Sequence, residues 1–135
     1  MKKIRFGACL LLILMLVSLL TACDKRGSVE RAFKTAGYDL TVIDAALDEE
    51  DRALLLKLFD KERVESLPDC RILVFSKYRI PGAAVFCFSS SGELRRYLNT
   101  QGGDAYKTAR REGRVRGNCY LAYAGYGTLE IFTGK

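Results

Sequence analysis

Two apolar runs on either side of a turn constrain the fold of this chain more than any other feature. Residues Arg71–Tyr78 include Ile72-Leu73-Val74-Phe75, and residues 83–89 form the second run. Both runs have the length of a strand, and their continuity is typical of strands buried in a sheet. Between them, Ile80-Pro81-Gly82 fits a turn, because proline presets the first central dihedral angle and glycine supplies a positive one. The sequence therefore predicts an antiparallel hairpin.

Other elements follow from periodicity and from capping residues. Strands are predicted over residues 38–44, where apolar and polar residues alternate, and over residues 119–124. Helices are predicted over residues 29–36 after the N-cap Ser28, from 49 after the N-cap Asp48, from 91 after the N-cap Ser90, over 105–112 and, in preference to an edge strand, over 125–135. The glycine-punctuated segment 110–117 is predicted to be exposed.

The order of these elements predicts the fold class. A helix is followed by strand, helix, strand, strand, helix and strand, which is the split β-α-β pattern of ferredoxin-like sandwiches. We therefore expect an α+β two-layer sandwich, in which a four-stranded antiparallel sheet carries helices on one face and is preceded by an N-terminal helix. Because this fold hosts many unrelated activities, it argues for none of them.

The start of the chain has the pattern of a secretory signal. Lys2, Lys3 and Arg5 come first, and the apolar run Ala8–Leu20 follows with a length of 13 residues. A helix needs about 20 apolar residues to cross a bilayer core, so this run is short for a membrane span. A basic start, a short apolar core and small residues at its exit are the parts of an export signal. Basic residues before the run favour export of the chain after it.

The end of the signal is more specific. Leu20-Thr21-Ala22-Cys23 resembles the lipobox of bacterial lipoproteins, in which leucine and two small residues precede an obligatory cysteine. The resemblance covers residues 1–23 only. It implies that a diacylglyceryl group, with fatty chains such as palmitate, is attached to Cys23, and that a signal peptidase cleaves between Ala22 and Cys23. Asp24 would retain the protein in the inner membrane of a two-membrane bacterium. An ordinary signal peptide and an uncleaved anchor are the alternatives.

Cleavage at this site would divide the chain into three parts. Residues 1–22 would be removed, residues 23–27 would form a lipidated tether, and residues 28–135 would form a single α+β domain. The mature chain would have 113 residues, and its formal net charge would fall from +6 to +3 because three basic residues leave with the signal. A chain of this length is enough for one hydrophobic core.

Three cysteines remain in the predicted domain, and the chain contains no histidine. Ser–His and Cys–His catalytic couples are therefore excluded, and neither a metal site nor a cofactor is predicted. The predicted hairpin places Cys87 opposite residues 73–75, and the predicted topology puts Cys70 and Cys119 at opposite edges of the sheet. A disulfide needs Cα atoms within about 7 Å of each other, so no intramolecular disulfide is expected.

One basic segment is a candidate site of contact with an anionic surface: Arg110, Arg111, Arg114 and Arg116. Near a membrane, each such charge contributes about 1 kcal/mol. Anionic headgroups or cell-wall polymer would be the target, although a solvated loop explains the segment more simply.

Two further series have a structural explanation. Helix capping accounts for the acidic residues, which lack the spacing of a calcium loop: Asp44, Asp48, Glu49, Glu50 and Asp51. Three tyrosines are interpreted as packing residues, with Tyr120 and Tyr123 on opposite faces of a strand and Tyr126 beyond it.

These patterns predict a lipid-anchored protein on the extracytoplasmic face of the plasma (inner) membrane. We expect a binding or accessory module of the cell envelope, attached to the membrane through diacylglyceryl-cysteine, with another envelope protein or cell-wall polymer as its partner and no role in nucleic-acid binding. The alternative is a small envelope enzyme that uses carboxylates or a free thiol. It is less favoured, because no motif places a pair of titratable groups together.

Overall fold

Helices cover both faces of one antiparallel sheet in the computed structural model, which describes residues 24–44 and 46–134. The predicted signal and Cys23 lie outside the described residues. The elements are α1 (Arg26–Thr35), β1 (Asp39–Ile43), α2 (Glu49–Leu56), α3 (Lys61–Glu65), β2 (Arg71–Lys77), β3 (Ile80–Cys87), α4 (Ser91–Gln101), α5 (Ala105–Arg111), β4 (Val115–Arg116), β5 (Cys119–Ala124) and α6 (Thr128–Thr133). Within the described ranges, none of these helices is long and apolar enough to cross a membrane.

The sheet confirms the mixed α/β class but not the predicted strand arrangement. The described residues form five strands in the order β1-β2-β3-β5-β4, and β4 lies in the segment predicted to be an exposed loop. In a split β-α-β unit, β1 and β2 would run parallel with another strand between them. Here they are antiparallel neighbours, with Ile43 opposite Ile72. The difference arises between β1 and β2, where the structure has two short helices, α2 and the unpredicted α3. Together they return the chain to the end of the sheet at which β1 finishes, so β2 runs antiparallel to β1.

The prediction that helices cover only one face is wrong. On one face, which we call the α4 face, helices α2–α5 pack on strand residues that include Val74 and Phe86. On the other, the α1 face, α1 and α6 pack on strand residues that include Phe75 and Val85. Strands β2 and β3 are continuous apolar runs, and such runs are typical of strands buried on both faces.

Local capping residues start several helices as the sequence predicts. The Asp51 N–H donates to Asp48 Oδ1 over 2.7 Å at α2, and the Glu93 N–H donates to Ser90 Oγ over 3.2 Å at α4. The first helix differs, because it begins at Arg26 and includes Ser28, the predicted N-cap. Residues 26–27 therefore belong to α1 and not to the tether. The start of α1 is held by Asn118, which lies in the turn just before β5 and accepts a hydrogen bond from the Lys25 N–H.

The hairpin reverses at Tyr78 and Arg79, two residues earlier than predicted. Both residues have positive φ angles, 54° and 65°, as a two-residue loop of the twisted hairpin requires. Pro81 and Gly82 lie inside β3, next to a register shift between Phe75 and Ser76. A proline is tolerated at such a bulge. The earlier turn moves the whole register, so that Cys87 lies opposite Arg71.

Replacing Tyr78 and Arg79 together by asparagine and glycine should stabilise the protein. L-residues other than glycine lose about 1 kcal/mol or more in the left-handed region, while Asn-Gly suits this turn. We expect the free energy of unfolding to rise by about 1–2 kcal/mol in urea titrations. The matched double alanine variant keeps the strained backbone and should not gain stability. A gain of equal size in both variants would contradict this explanation.

Candidate functional site

A cleft of about 930 Å³ lies at one end of the sheet. There β1 and β3 finish and β2 and β5 begin, and we call this the cleft end; the opposite end, with the reversal at Tyr78 and Arg79, is the turn end. The lining includes four carboxylates and two guanidinium groups: Asp24, Asp44, Asp69, Glu93, Arg26 and Arg71. The cleft therefore has an excess of negative charge.

Asn118 forms the floor of the cleft and holds the start of the described chain. Its side chain is buried, with only 5% exposed. The Lys25 N–H donates to Asn118 Oδ1 over 2.9 Å, and Asn118 Nδ2 donates to the Phe88 carbonyl oxygen over 2.8 Å and to Asp24 Oδ1 over 3.3 Å. A buried amide with these partners is well satisfied. The residues that follow Cys23 are thus fixed to the cleft end of the sheet.

Ion pairs and hydrogen bonds organise the charged wall of the cleft. Arg71 Nε donates to Asp44 Oδ1 over 3.0 Å, and both side chains remain partly exposed. Such an exposed pair contributes roughly 0–1 kcal/mol to stability. Ser89 Oγ donates to Glu93 Oε2 over 2.6 Å. Asp69 is exposed beside the cleft, so its carboxylate is open to a ligand.

Two thiols also line the cleft, Cys70 and Cys87. The placement of Cys87 opposite residues 73–75 is wrong, because it lies opposite Arg71 on one side and Cys119 on the other. Burial, followed by the negative charge of Asp69, raises the pKa of the Cys70 thiol to about 12. The hydrogen bond with Cys119, followed by burial, raises the pKa of the Cys87 thiol above its ordinary value. Neither thiol is therefore an activated nucleophile at neutral pH.

The structure does not bring the four predicted arginines together as one exposed patch. Arg114 forms an ion pair with Glu112 over 3.3 Å, and Arg116 Nη1 donates to the Phe132 carbonyl oxygen over 3.2 Å. Only Arg110 and Arg111 are exposed, in the last turn of α5, where positive charge also stabilises the helix dipole. Of the four candidates, Arg110 and Arg111 are thus the most open to an anionic surface, while Arg114 and Arg116 are partly buried.

The tyrosine series is divided between packing and exposure. A register shift between Ala84 and Val85 adds an extra residue to β5. As a result Tyr120 and Tyr123 pack against the same cluster on the α4 face, so their predicted placement on opposite faces is wrong while their packing role is confirmed. Tyr126 is fully exposed at the turn end, so its interpretation as a packing residue is wrong.

Asp48 caps α2, and Glu49, Glu50 and Asp51 lie in the first turn of that helix, as the sequence predicts. Over residues 24–44 and 46–134, no three side chains of histidine, cysteine, aspartate or glutamate are placed to hold a metal ion. Asp44 alone of the acidic series reaches the cleft, where Arg71 occupies it.

Comparison with known proteins gives no family for this chain. No protein-family profile, no curated protein and no solved structure matches it. Two features of the described residues remain: the charged cleft, and the attachment of Asp24 and Lys25, which follow Cys23 in the sequence, to that cleft. Sequence reasoning missed Asn118, the residue that joins these two features, because its partners lie 93, 94 and 30 positions away along the chain.

Proposed function

We propose that this protein is a lipid-anchored, extracytoplasmic module of the plasma membrane, and that it binds a partner through its acidic cleft. One observation carries the proposal: Asp24 and Lys25, the residues directly after Cys23, are hydrogen-bonded to Asn118 on the floor of the cleft. Adjacent Cα atoms are about 3.8 Å apart. A lipid on Cys23 would therefore hold the cleft end of the domain against the bilayer surface.

The charge of the cleft favours a basic partner. Four carboxylates face two guanidinium groups, and one of these carboxylates, Asp44, is already paired with Arg71. Charged surfaces select partners by complementary potential, and like charges oppose association. Of the partners expected from the sequence, a basic segment of another envelope protein fits this lining better than an anionic cell-wall polymer does.

The alternative of an envelope enzyme has less support. A free-thiol mechanism needs a thiolate, but the pKa values of Cys70 and Cys87 are both raised. A carboxylate mechanism needs two carboxyl groups in distinct environments that converge on one point. Asp44 is ion-paired with Arg71, and Glu93 accepts a hydrogen bond from Ser89. This arrangement resembles a charged binding surface more than an acid–base pair.

Lipid crosslinking from two positions tests the predicted orientation. A photo-crosslinking residue is placed at Ser91, on the rim of the cleft, or at Tyr126, at the turn end, in the membrane-bound full-length chain. Residues along a strand are about 3.4 Å apart, so the six residues of β5 separate these ends by more than 15 Å. We expect phospholipid adducts at position 91 and only background at position 126. Equal labelling, or stronger labelling at 126, would refute the orientation.

The same crosslinker at position 91 tests the partner in intact cells. We expect a protein adduct whose crosslinked segment is rich in lysine or arginine. The variant Asp69→Asn should weaken this adduct, because it removes an exposed carboxylate of the cleft. The matched variant Asp39→Asn removes an exposed carboxylate at the turn end and should leave the adduct unchanged. An adduct that is insensitive to Asp69→Asn, or that maps to an acidic segment, would refute the binding proposal.

A further inference from the structure

Cys87 and Cys119 lie directly opposite each other on the neighbouring strands β3 and β5. Their Sγ atoms are 3.4 Å apart, and both thiols are free in the structure. At the adjacent position the Phe88 N–H donates to the Asn118 carbonyl oxygen over 3.0 Å. Since hydrogen-bonded and non-hydrogen-bonded pairs alternate, the two cysteines occupy a non-hydrogen-bonded pair, where Cα atoms are about 4.5 Å apart. This separation falls within the range of about 4.4–6.8 Å that a disulfide requires.

Cys70 does not compete for either of these thiols. It packs against the cluster on the α4 face, whereas Cys87 and Cys119 belong to the cluster on the α1 face. Cys70 and Cys87 both border the cleft, but their side chains pack against clusters on opposite faces of the sheet. Within the described residues, Cys87 and Cys119 are therefore the two cysteines placed to form a disulfide. Cys70 serves as an internal control, because its thiol should stay free for alkylation.

We propose that Cys87 and Cys119 form an interstrand disulfide in the exported protein. This proposal rests on the proposed function, which places the domain outside the cytoplasm. Disulfides persist there and are rare within the cytoplasm. The oxidant is a disulfide donor of the extracytoplasmic space, acting by thiol–disulfide exchange. Two S–H bonds break and one S–S bond forms between the cysteines. The donor disulfide accepts the two electrons and two protons and leaves as a dithiol.

The folded site indicates when this exchange takes place. Cys119 is fully buried and Cys87 is only 6% exposed. The hydrogen bond between the thiols, with burial, also raises the pKa of Cys87, so the folded pair offers little of the thiolate that attacks a disulfide. Oxidation therefore occurs while the chain folds after export, before α1 covers the pair. The bond then ties β3 to β5 beside Asn118 and holds the floor of the cleft.

Thiol trapping in cells tests this disulfide. Full-length protein is acid-quenched, alkylated and mapped by mass spectrometry without reduction, from membranes of cells that produce the wild type or Cys70→Ser. In both we expect a linked pair of peptides that contain Cys87 and Cys119, and in the wild type an alkylated Cys70. Alkylation of both Cys87 and Cys119 in chains that carry lipid on Cys23 would overturn the proposal.

Refolding in vitro separates failure of the disulfide from failure of export. The full-length chain is unfolded in detergent and refolded with or without a glutathione redox buffer. The closed loop would span residues 87–119, and a cross-link of that length should raise the Tm by about 15 °C over the reduced protein. The double variant Cys87→Ser/Cys119→Ser should show no such shift. If refolding gives no Cys87–Cys119 link, the disulfide is refuted whether or not Cys23 is lipidated. A linked chain without lipid on Cys23 would instead refute the proposed anchor and leave the disulfide supported.

Discussion

Replacing Cys23 by serine is expected to abolish lipid incorporation and to leave the full-length precursor with its signal attached. The thiol is the attachment atom that the lipobox resemblance implies, and serine cannot form the thioether. Each buried methylene contributes about 0.8 kcal/mol to membrane binding, so a diacyl group supplies stable attachment that the bare domain lacks. Labelled fatty acid, intact mass and membrane fractionation measure incorporation, processing and attachment in the same cells.

The predicted signal contains a matched control for this experiment. Cys9 lies within the apolar run, 14 residues before Cys23, and Cys9→Ser makes the same chemical change without altering the lipobox. We expect Cys9→Ser to be lipidated and cleaved like the wild type. Normal processing and lipid labelling of Cys23→Ser would disprove the anchor, and with it the membrane-facing position of the cleft.

A very short segment would connect the proposed anchor at Cys23 to the cleft. Because α1 begins at Arg26 and Lys25 is bonded to Asn118, the predicted five-residue tether is reduced to the residues before Lys25. A long flexible tether would let the domain rotate freely, whereas a tether this short limits the orientations it can adopt. If Cys23 carries the proposed lipid, a partner that binds in the cleft would approach along the membrane surface.

The features predicted correctly from the sequence are those determined by interactions between residues close together in the chain. Asp48 and Ser90 start helices through bonds to residues three positions ahead, and this spacing is visible in the sequence. The apolar runs around residues 72–75 and 83–88 predicted buried strands because burial requires apolar side chains wherever the sheet is covered. The preference for a helix over an edge strand in residues 125–135 is also confirmed, by the helix Thr128–Thr133.

The register of the hairpin between β2 and β3 could not be predicted from the sequence. Packing between residues distant in sequence compensates for the locally unfavourable conformation of its turn. Pro81-Gly82 is the better turn by local preference, but the chain reverses at Tyr78-Arg79. The adopted register places Phe75 and Val85 on the α1 face in full burial and brings Gly125 N within 2.7 Å of Gly82 O. A β carbon on Gly125 would lie 2.6 Å from that oxygen, so only glycine permits this approach.

The candidate site could not be predicted, because it is assembled from segments far apart in sequence. Asn118 reads as a loop residue before a strand, and no local signal links it to Asp24 or Phe88. The cysteine pair was missed for a related reason. The predicted split β-α-β order does not make the strand of Cys87 a neighbour of the strand of Cys119, whereas β3 and β5 are adjacent in the structure. The assumed hairpin register added a second error, because it placed Cys87 opposite residues 73–75 instead of opposite Arg71.

Replacing Phe33 by alanine is expected to lower the free energy of unfolding by about 3–5 kcal/mol. Phe33 is fully buried on the α1 face, where its ring stacks on Phe75 with centroids 4.1 Å apart and meets Tyr38 edge-on at 5.4 Å. Together with Val29, one helical turn before it, this ring attaches α1 to the sheet. Truncation would leave a cavity between a helix and a sheet that cannot easily collapse. Urea unfolding at equal protein concentration gives the change directly.

Two matched variants separate this cavity from other effects. Phe33→Leu keeps most of the apolar volume and should cost about 1–2 kcal/mol, while Lys34→Ala changes an exposed neighbour and should stay within about 0.5 kcal/mol of the wild type. Because α1 begins at the cleft, loosening it should also weaken the hold of Asn118 on Lys25. Lipid labelling from position 91 should therefore become less selective in Phe33→Ala than in Lys34→Ala. If Phe33→Ala were as stable as Lys34→Ala, this ring would not hold α1 on the sheet. The packing of α1 would then not explain how the proposed anchor is connected to the cleft.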